Sequence, residues 1–190
     1  RGFIKADKVE VGDKVTCRGG VDKVVATWES DDLQPIIEIT TKQGFRIKAN
    51  TEHPLLACRR IPRGEERWIN AENIYTDNQV AIQTKTDLWP EECLISLEDA
   101  ENLGRGCAFN GREIPEVILR SGEDVNIAFL NGLFDANIFT DRIYLKSVNR
   151  VFAETVHQLL LRVGIFTTLR YAENEIYLIN NNFYMEGLYW

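Results

Sequence analysis

The chain has 190 residues, of which 44% are hydrophobic and 10% aromatic, so its composition suits one large or two small folded domains. Its net charge of −7 argues against a generic nucleic-acid coat or a basic tail. The four cysteines form no C-x-x-C pair, which disfavours a zinc site and fits the reduced thiols of a cytoplasmic protein. No apolar run reaches the roughly 20 residues that would span a membrane.

Residues 1–85 have the pattern of short β-strands separated by turns. Apolar and alternating runs predict strands at 14–17, 21–28, 36–41, 45–49, 55–58, 67–69 and 79–82. The stretch TTKQGFRIKA predicts a hairpin, because two alternating strands flank a short turn that contains Gly44. Many short strands at this spacing indicate a compact barrel or sandwich-like β module.

The periodicity becomes helical from Glu98 onward. It predicts a short helix after Pro115 and a longer one from Ser121 or Glu123 to Asp135, with Ser121 as a suitable N-cap. A strand over DRIYLKSV then precedes an amphipathic helix that stops at Gly164. The predicted apolar face of that helix consists of Val151, Phe152, Val156, Leu159, Leu160 and Val163. Two closing strands, FTTLRYA and EIYLIN, make this half α+β.

One of the two histidines, His53, lies in KANTEHPLLA, between a polar corner and an apolar run. Histidine has the ordinary pKa nearest to neutrality, which makes His53 a candidate for acid–base chemistry. Taken alone, the pattern is more typical of a histidine that satisfies the backbone groups of a turn.

The order of the segments around His53 resembles the Hint module of inteins and hedgehog-type autoprocessing domains over residues 2–83. The matching segments are GFIKADKVEVGDKV, a β meander, GFRIKANTEHPLLA and RWINAENIYTDNQVAI. The resemblance implies protein splicing, in which a Cys or Ser at the first position attacks the preceding peptide carbonyl and forms a thioester or ester. It also implies flanking extein segments of a host protein as partners, and no cofactor.

The resemblance gives roles to three residues of the corner. His53 would protonate the departing amide, and a threonine would orient that amide or its oxyanion. Asn50 stands at the usual threonine position, and Thr51 lies one residue closer to the histidine. The family's nucleophile is expected upstream of Arg1. The tail NNNFYMEGLYW either resembles the segment before the family's terminal His-Asn or is the last strand and loop of the second domain.

The segment AFLNGLFDAN, residues 128–137, suits an ordinary core helix in which Gly132 lets another helix approach closely. With REIPEVIL before it and RIYLKSVNRVFAETVHQLLLRVGI after it, it resembles the second half of a LAGLIDADG homing endonuclease over residues 105–180. In that family, two such helices pack at the centre of a saddle and acidic residues at their ends hold divalent metal ions over the scissile phosphates. Antiparallel strands of the saddle lie in the DNA major groove.

The motif departs from this family at the metal site. Asn137 stands where the metal-binding acid is usual, and Asp135 matches an earlier acid that is more often structural. An amide oxygen is a weaker Mg²⁺ ligand than a carboxylate, so we expect a degenerate endonuclease. Because only one motif is evident, the first half-domain is expected to be missing. Cleavage with Mg²⁺ would then need a second chain, such as a homodimer through the helix of Gly132.

Charge is distributed unevenly along the chain. Residues 87–126 contain ten acidic and three basic side chains, whereas residues 139–170 contain five basic and two acidic. The basic segment leaves weak binding to double-stranded DNA possible, with Arg142, Lys146 and Arg150 as the first phosphate contacts. Solvated surface charge is the other interpretation of these three residues.

The predicted fold is a mainly β Hint (hedgehog/intein) module followed by an α+β LAGLIDADG-like half domain. The predicted divisions are a splicing module at 1–85, an acidic linker or remnant at 86–104, the endonuclease-like domain at 105–180 and a possible return to the Hint module at 181–190. The predicted function is intein-derived splicing. The alternatives are a LAGLIDADG endonuclease or DNA-binding protein acting as a homodimer, and a structural remnant without chemistry.

Overall fold

The computed structural model describes residues 2–18, 20–29, 33–59, 64–91, 93–110, 113–135, 144–184 and 187–189. The strands of these residues are β1 Lys14–Cys17, β2 Gly20–Lys23, β3 Ile36–Thr40, β4 Arg46–Asn50, β5 Pro54–Arg59, β6 Arg67–Asn70, β7 Asn78–Val80, β8 Ile82–Thr84, β9 Tyr144–Ser147, β10 Ile165–Ala172, β11 Glu175–Tyr184 and β12 Gly187–Tyr189. The α-helices are α1 Leu97–Asn110, α2 Glu116–Leu119, α3 Glu123–Phe134 and α4 Arg150–Arg162. None of these helices has the length and apolar character that crossing a bilayer requires.

The chain divides into two compact units. Unit 1 consists of Arg1–Thr27 and Thr84–Glu186, and unit 2 consists of Trp28–Gln83 and Gly187–Trp190. This division differs from the one predicted from the sequence, because residues 1–27 cluster with the helices. Helix α1 also runs continuously through the predicted boundary between residues 104 and 105.

The main core of unit 1 lies between the helices and a three-stranded sheet. Its largest fully buried side chains include Phe129 of α3, Phe152 and Leu160 of α4, and Leu178 of β11. Burial of each such side chain contributes on the order of 1.5–3 kcal/mol. The core therefore fixes α3, α4 and the sheet as one body.

Helix α4 forms where the amphipathic pattern predicts it. The Asn149 side chain accepts a hydrogen bond from the Phe152 N–H at 3.1 Å and caps the first turn. Gly164, with φ of 89°, follows the last turn in the left-handed conformation that favours glycine. Val151 was wrongly predicted to lie on the apolar face, since it is 57% exposed.

The sheet of unit 1 has the order β10-β11-β9, and both pairs are antiparallel. Alternate residues of its strands point into the core, among them Leu145, Leu169, Ile176 and Leu178. The residues between them face outward, as the period of two in a strand requires. One face of the sheet is thus left outside the core.

Two further segments of unit 1 attach to the C-terminal end of α4. The backbone N–H groups of Lys85 and Thr86 donate to the carbonyls of Leu161 and Arg162 at 2.9 and 3.0 Å. The Arg162 guanidinium lies 4.4 Å from the Phe3 ring centroid and 4.0 Å from that of Trp89. Burial lowers the pKa of Arg162 to about 10. These contacts explain why the first residues belong to unit 1.

Unit 2 contains the predicted hairpin. Strands β3 and β4 pair antiparallel, and the Gly44 N–H donates to the Thr41 carbonyl at 2.9 Å in the turn between them. A second sheet has the order β6-β5-β7, and its central strand buries four consecutive residues, Leu55, Leu56, Ala57 and Cys58. Strand β12 pairs with β8.

Two further local predictions are wrong. The predicted strand at 21–28 ends at Lys23, because β1 begins at Lys14 and Val24 already pairs with the turn at Gly12 and Asp13. Ser121 is not the N-cap of α3, since Gly122 holds that position. The Ser121 hydroxyl instead donates to the Val117 carbonyl at 2.7 Å and thus closes the end of α2.

Candidate nucleic-acid interface

Helices α1 and α3 cross at two glycines. A Cβ atom at Gly132 would overlap the carbonyl oxygen of Glu101, and one at Gly104 would overlap that of Phe129. Each glycine therefore faces the residue three positions before the other glycine. This reciprocal relation is that of two helices related by a local two-fold axis, with backbones too close for any larger residue.

The reciprocal crossing aligns the two helices residue by residue. With Gly104 matched to Gly132, Cys107 of α1 corresponds to Asp135, and Phe109 corresponds to Asn137. Sequence reasoning missed α1 as a partner of α3, because α1 contains no acid between Glu101 and its end at Asn110. The signal that could have found it is the spacing Ala-x-x-x-Gly, shared by Ala100 and Gly104 with Ala128 and Gly132.

The Gly132 face of α3 is covered by α1 of the same chain. Gly132 itself is buried in that contact. The face that the sequence assigned to a homodimer is therefore occupied within one chain.

The ends of the two helices do not fit a magnesium ion. Asp135 is an exposed carboxylate, and its Oδ1 lies 3.8 Å from Nε of Arg105, which also pairs with Glu101. Cys107 is buried, and burial raises the pKa of its thiol. Among the described residues no cluster of three His, Cys, Asp or Glu side chains could hold a metal ion. Asn137 lies outside the described residues, and an amide would not replace the missing acid.

The outward face of the β10-β11-β9 sheet presents cations and aromatic rings. The register places Arg170 opposite Tyr177, and Tyr177 opposite Lys146. In the neighbouring row, Ile179 lies opposite both Thr168 and Tyr144. The rings of Tyr144 and Tyr177 are 6.1 Å apart between centroids.

Lys146, one of the predicted phosphate contacts, lies on this face but has an acidic partner. Its Nζ is 2.5 Å from Oε1 of Glu175 and 6.0 Å from the Tyr177 ring centroid. The hydrogen bond raises the pKa of Lys146 and lowers that of Glu175. The Tyr177 hydroxyl donates to the same carboxylate. All three side chains therefore form one cluster.

Arg150, the second predicted contact, belongs to a different cluster. Its Nε donates to Glu154 at 2.9 Å, and its guanidinium lies 5.1 Å from the Tyr171 ring centroid. The Tyr171 hydroxyl also donates to Glu154. Arg142, the third predicted contact, lies outside the described residues.

Arg170 is the cation that sequence reasoning did not single out. Its side chain is exposed, and it has no ion pair or side-chain hydrogen bond with any residue that the structure describes. Its outward position follows from alternation along β10, where Ile165, Thr167 and Leu169 are buried. The alternation of apolar and polar residues in FTTLRYA could therefore have identified Arg170 from the sequence.

The three candidate splicing residues share one tight turn between β4 and β5. The His53 N–H donates to the Asn50 carbonyl at 3.2 Å, and the carbonyls of Thr51 and His53 accept from Glu72 and Ala71. The His53 side chain is exposed and has no hydrogen-bond partner among the described residues. Among the described residues, backbone hydrogen bonds hold these three residues in the turn.

Residues 124–184 match the family described as the LAGLIDADG-like domain. The matched segment contains α3, α4 and the three-stranded sheet, and it supports a domain of homing-endonuclease type in this part of the chain. The matched segment begins after the end of α1. The pairing of α1 with α3 therefore rests on the helix contacts at Gly104 and Gly132 and not on the family match. No curated protein matches the chain.

Proposed function

We propose that unit 1 binds double-stranded DNA through the outward face of the β10-β11-β9 sheet and does not cleave it. The observation that carries this function is an antiparallel sheet, within the LAGLIDADG-like segment, whose outward face holds Arg170, Lys146 and two tyrosines. Antiparallel strands fit into the major groove, and arginine and lysine contact phosphates and base edges there.

The absence of cleavage follows from the helix ends. Phosphodiester hydrolysis by paired metal ions needs carboxylates that hold the ions over the phosphate. The α1 end has Cys107 and Phe109 at the two positions that correspond to Asp135 and Asn137, so one complete half of such a site has no acid. Binding and catalysis are therefore expected to be separated in this chain.

Fluorescence anisotropy of a labelled random-sequence duplex, titrated with the full chain, tests the binding. We expect a dissociation constant in the range of about 10⁻⁴–10⁻⁶ M, and an affinity that falls as salt rises from about 50 to 200 mM. Arg120→Gln serves as a matched control, because Arg120 is an exposed arginine that pairs with Glu116 on α2, not on the sheet. No change in anisotropy at the lowest salt would exclude the function.

Incubation of the full chain with supercoiled plasmid and Mg²⁺ tests whether the bound DNA is left uncleaved. We expect the plasmid to stay supercoiled at protein concentrations that bind it. Nicking that disappears with Asp135→Asn would contradict the non-cleaving assignment and would show that one acid suffices.

Protein splicing is a second candidate function, and one observation favours it. Unit 2 is built from both sides of the helical segment, since β12 pairs with β8 and Gly187–Trp190 cluster with Trp28–Gln83. Insertion of an endonuclease-type domain into a Hint-type β module would split unit 2 in this way, although residues 1–27 of the predicted module cluster with unit 1. His53 would then protonate the departing amide, as a general acid does in such a step.

Expression of the chain within its own reading frame, between its native flanking segments, tests splicing. Mass spectrometry should find a ligated flanking product and the excised chain, and His53→Ala should leave the precursor intact. Glu52→Ala, in the same exposed turn, should splice as the parent does. A precursor that never shortens would remove this function and leave the DNA-binding proposal unaffected.

A further inference from the structure

The cations Lys146 and Arg170 of the sheet face, and Arg150 at the start of α4, differ in whether an acidic side chain already neutralises them. Lys146 is paired with Glu175 at 2.5 Å, and Arg150 is paired with Glu154 at 2.9 Å. Arg170 is exposed and has no such partner among the residues that the structure describes. A phosphate can therefore reach Arg170 without displacing a carboxylate of any of these residues.

Arg170, Tyr177 and Lys146 form one row across three strands, because Tyr177 is opposite both cations. Neighbouring strands are about 4.8 Å apart, so the backbones of Arg170 and Lys146 are separated by about two such spacings. Two long, flexible side chains at this separation can reach neighbouring phosphates of one DNA strand. Occupation of both cations by one strand requires Lys146 to exchange Glu175 for a phosphate.

Glu175 opposes DNA binding in two ways. Its carboxylate occupies the Lys146 ammonium, and it places a negative charge beside the approaching phosphates. Like charges brought together at an interface lower affinity and suppress weakly matched partners. A duplex that offers additional base contacts can offset this repulsion, whereas a non-specific duplex cannot.

We propose that Arg170 makes the principal phosphate contact of the sheet face and that Glu175 restrains Lys146, so that weakly matched DNA is disfavoured. This inference rests on the proposed DNA-binding function and identifies the residues that set its strength. Tyr177 positions both groups, because it donates to Glu175 and lies between the two cations.

Arg170→Gln and Glu175→Gln test the two roles in the anisotropy assay on the full chain. Arg170→Gln should weaken binding about tenfold at low salt and reduce the salt slope by about 1, as loss of one phosphate contact does. Glu175→Gln keeps an acceptor for the Tyr177 hydroxyl but removes the charge. It should tighten non-specific binding several-fold and increase the slope by about 1.

Lys146→Gln in the Glu175→Gln background separates restraint from a general charge effect. If Glu175 acts through Lys146, the double variant should lose the increase in slope that Glu175→Gln produced. Arg120→Gln is the control for loss of a positive charge elsewhere in unit 1. Circular dichroism should show unchanged helix content for all four variants, because every changed side chain is exposed or half-buried.

The outcomes distinguish this inference from the function it rests on. If the unmodified chain binds DNA but Arg170→Gln weakens binding no more than Arg120→Gln does, the assignment of Arg170 as the principal phosphate contact is wrong. The proposed DNA binding would be unaffected. If Glu175→Gln leaves affinity and slope unchanged, the restraint is wrong. If the unmodified chain does not bind at the lowest salt, the proposed function itself fails.

Discussion

His157 is a buried histidine on the inner side of α4. It is 2% exposed, and its Nε2 lies 3.0 Å from the Thr167 carbonyl of β10. A carbonyl can only accept, so Nε2 carries the proton of the neutral ring. Burial lowers the pKa of His157 to about 4, against a smaller opposing effect of the Thr167 hydrogen bond and of Glu154.

This pKa makes the stability of unit 1 sensitive to acid. Above a pH of about 6.5 the ring is neutral in both the folded and the unfolded chain, so it adds no pH dependence. As the pH falls from there toward 4, only the unfolded chain takes up the proton, and the free energy of unfolding decreases by about 3 kcal/mol. Urea unfolding of the full chain at several pH values measures this loss.

His157→Gln should remove that part of the acid sensitivity, because glutamine can donate to the Thr167 carbonyl but does not titrate. The free energy of unfolding of the parent, minus that of the variant, should decrease as the pH falls from 6.5 to 4. Carboxylates affect both proteins equally and cancel in the comparison. A difference that stays constant across this range would contradict the assigned pKa.

The sequence predicts the direction in which some side chains point but not all of their contacts. Alternation along β10 and β9 predicts that Arg170 and Lys146 face outward. It does not reveal that Lys146 has a carboxylate partner, because that contact depends on the register of β11 against β9. The roles of His53, Asn50 and Thr51 stay predictions, since the hydrogen bonds described in the turn that groups them are backbone bonds, which do not depend on these side chains.

At the scale of elements, two glycines set how closely α1 and α3 pack. Two glycines are normally unfavourable in helix interiors, by roughly 0.5–1 kcal/mol each relative to alanine. Here Gly104 and Gly132 allow carbonyl oxygens of the partner helix to lie where a methyl group would be. The packing gained by this close approach offsets the lost helix propensity.

Gly132→Ala should therefore destabilise unit 1, whereas glycine-to-alanine changes in helices usually stabilise. The added methyl group would overlap the Glu101 carbonyl, and such overpacking costs about 1–3 kcal/mol. Gly106→Ala in α1 is the matched control, because no described atom lies within 4 Å of its Cβ position. We expect the control to gain about 0.5–1 kcal/mol in thermal or urea unfolding. Equal gains in both variants would show that the helices do not cross at these glycines.

Most elements could be predicted, because their apolar periodicities are strong and their ends carry Gly44, Asn149 and Gly164. The pairing of α1 with α3 could not, since close helix packing needs only small residues at one spacing, and such spacings are common. The acids that mark the family motif are absent from the α1 end, so the sequence offered no chemical signal for a second copy.

At the scale of the whole molecule, each of the two units is built from two separate segments of the chain. The strands of unit 2 come from residues before and after the helical segment, and the first 27 residues cluster with unit 1. The sequence predicted the change of character near residue 85, whereas the chain returns to unit 2 at Gly187 and not at residue 181. It did not predict the placement of residues 1–27, because that depends on contacts such as Phe3 with Arg162.

Two units with separate cores should not unfold in a single cooperative step. Leu130 of α3 is fully buried in unit 1, and Leu56 of β5 is 7% exposed in unit 2, so Leu→Ala at either site should cost about 2–5 kcal/mol. We expect Leu130→Ala to lower the melting transition that helical circular dichroism follows, since all described α-helices belong to unit 1. Leu56→Ala should leave that transition in place and lower the other, which calorimetry resolves. If both variants lower one common transition by the same amount, the two units fold as a single cooperative body and this prediction is wrong.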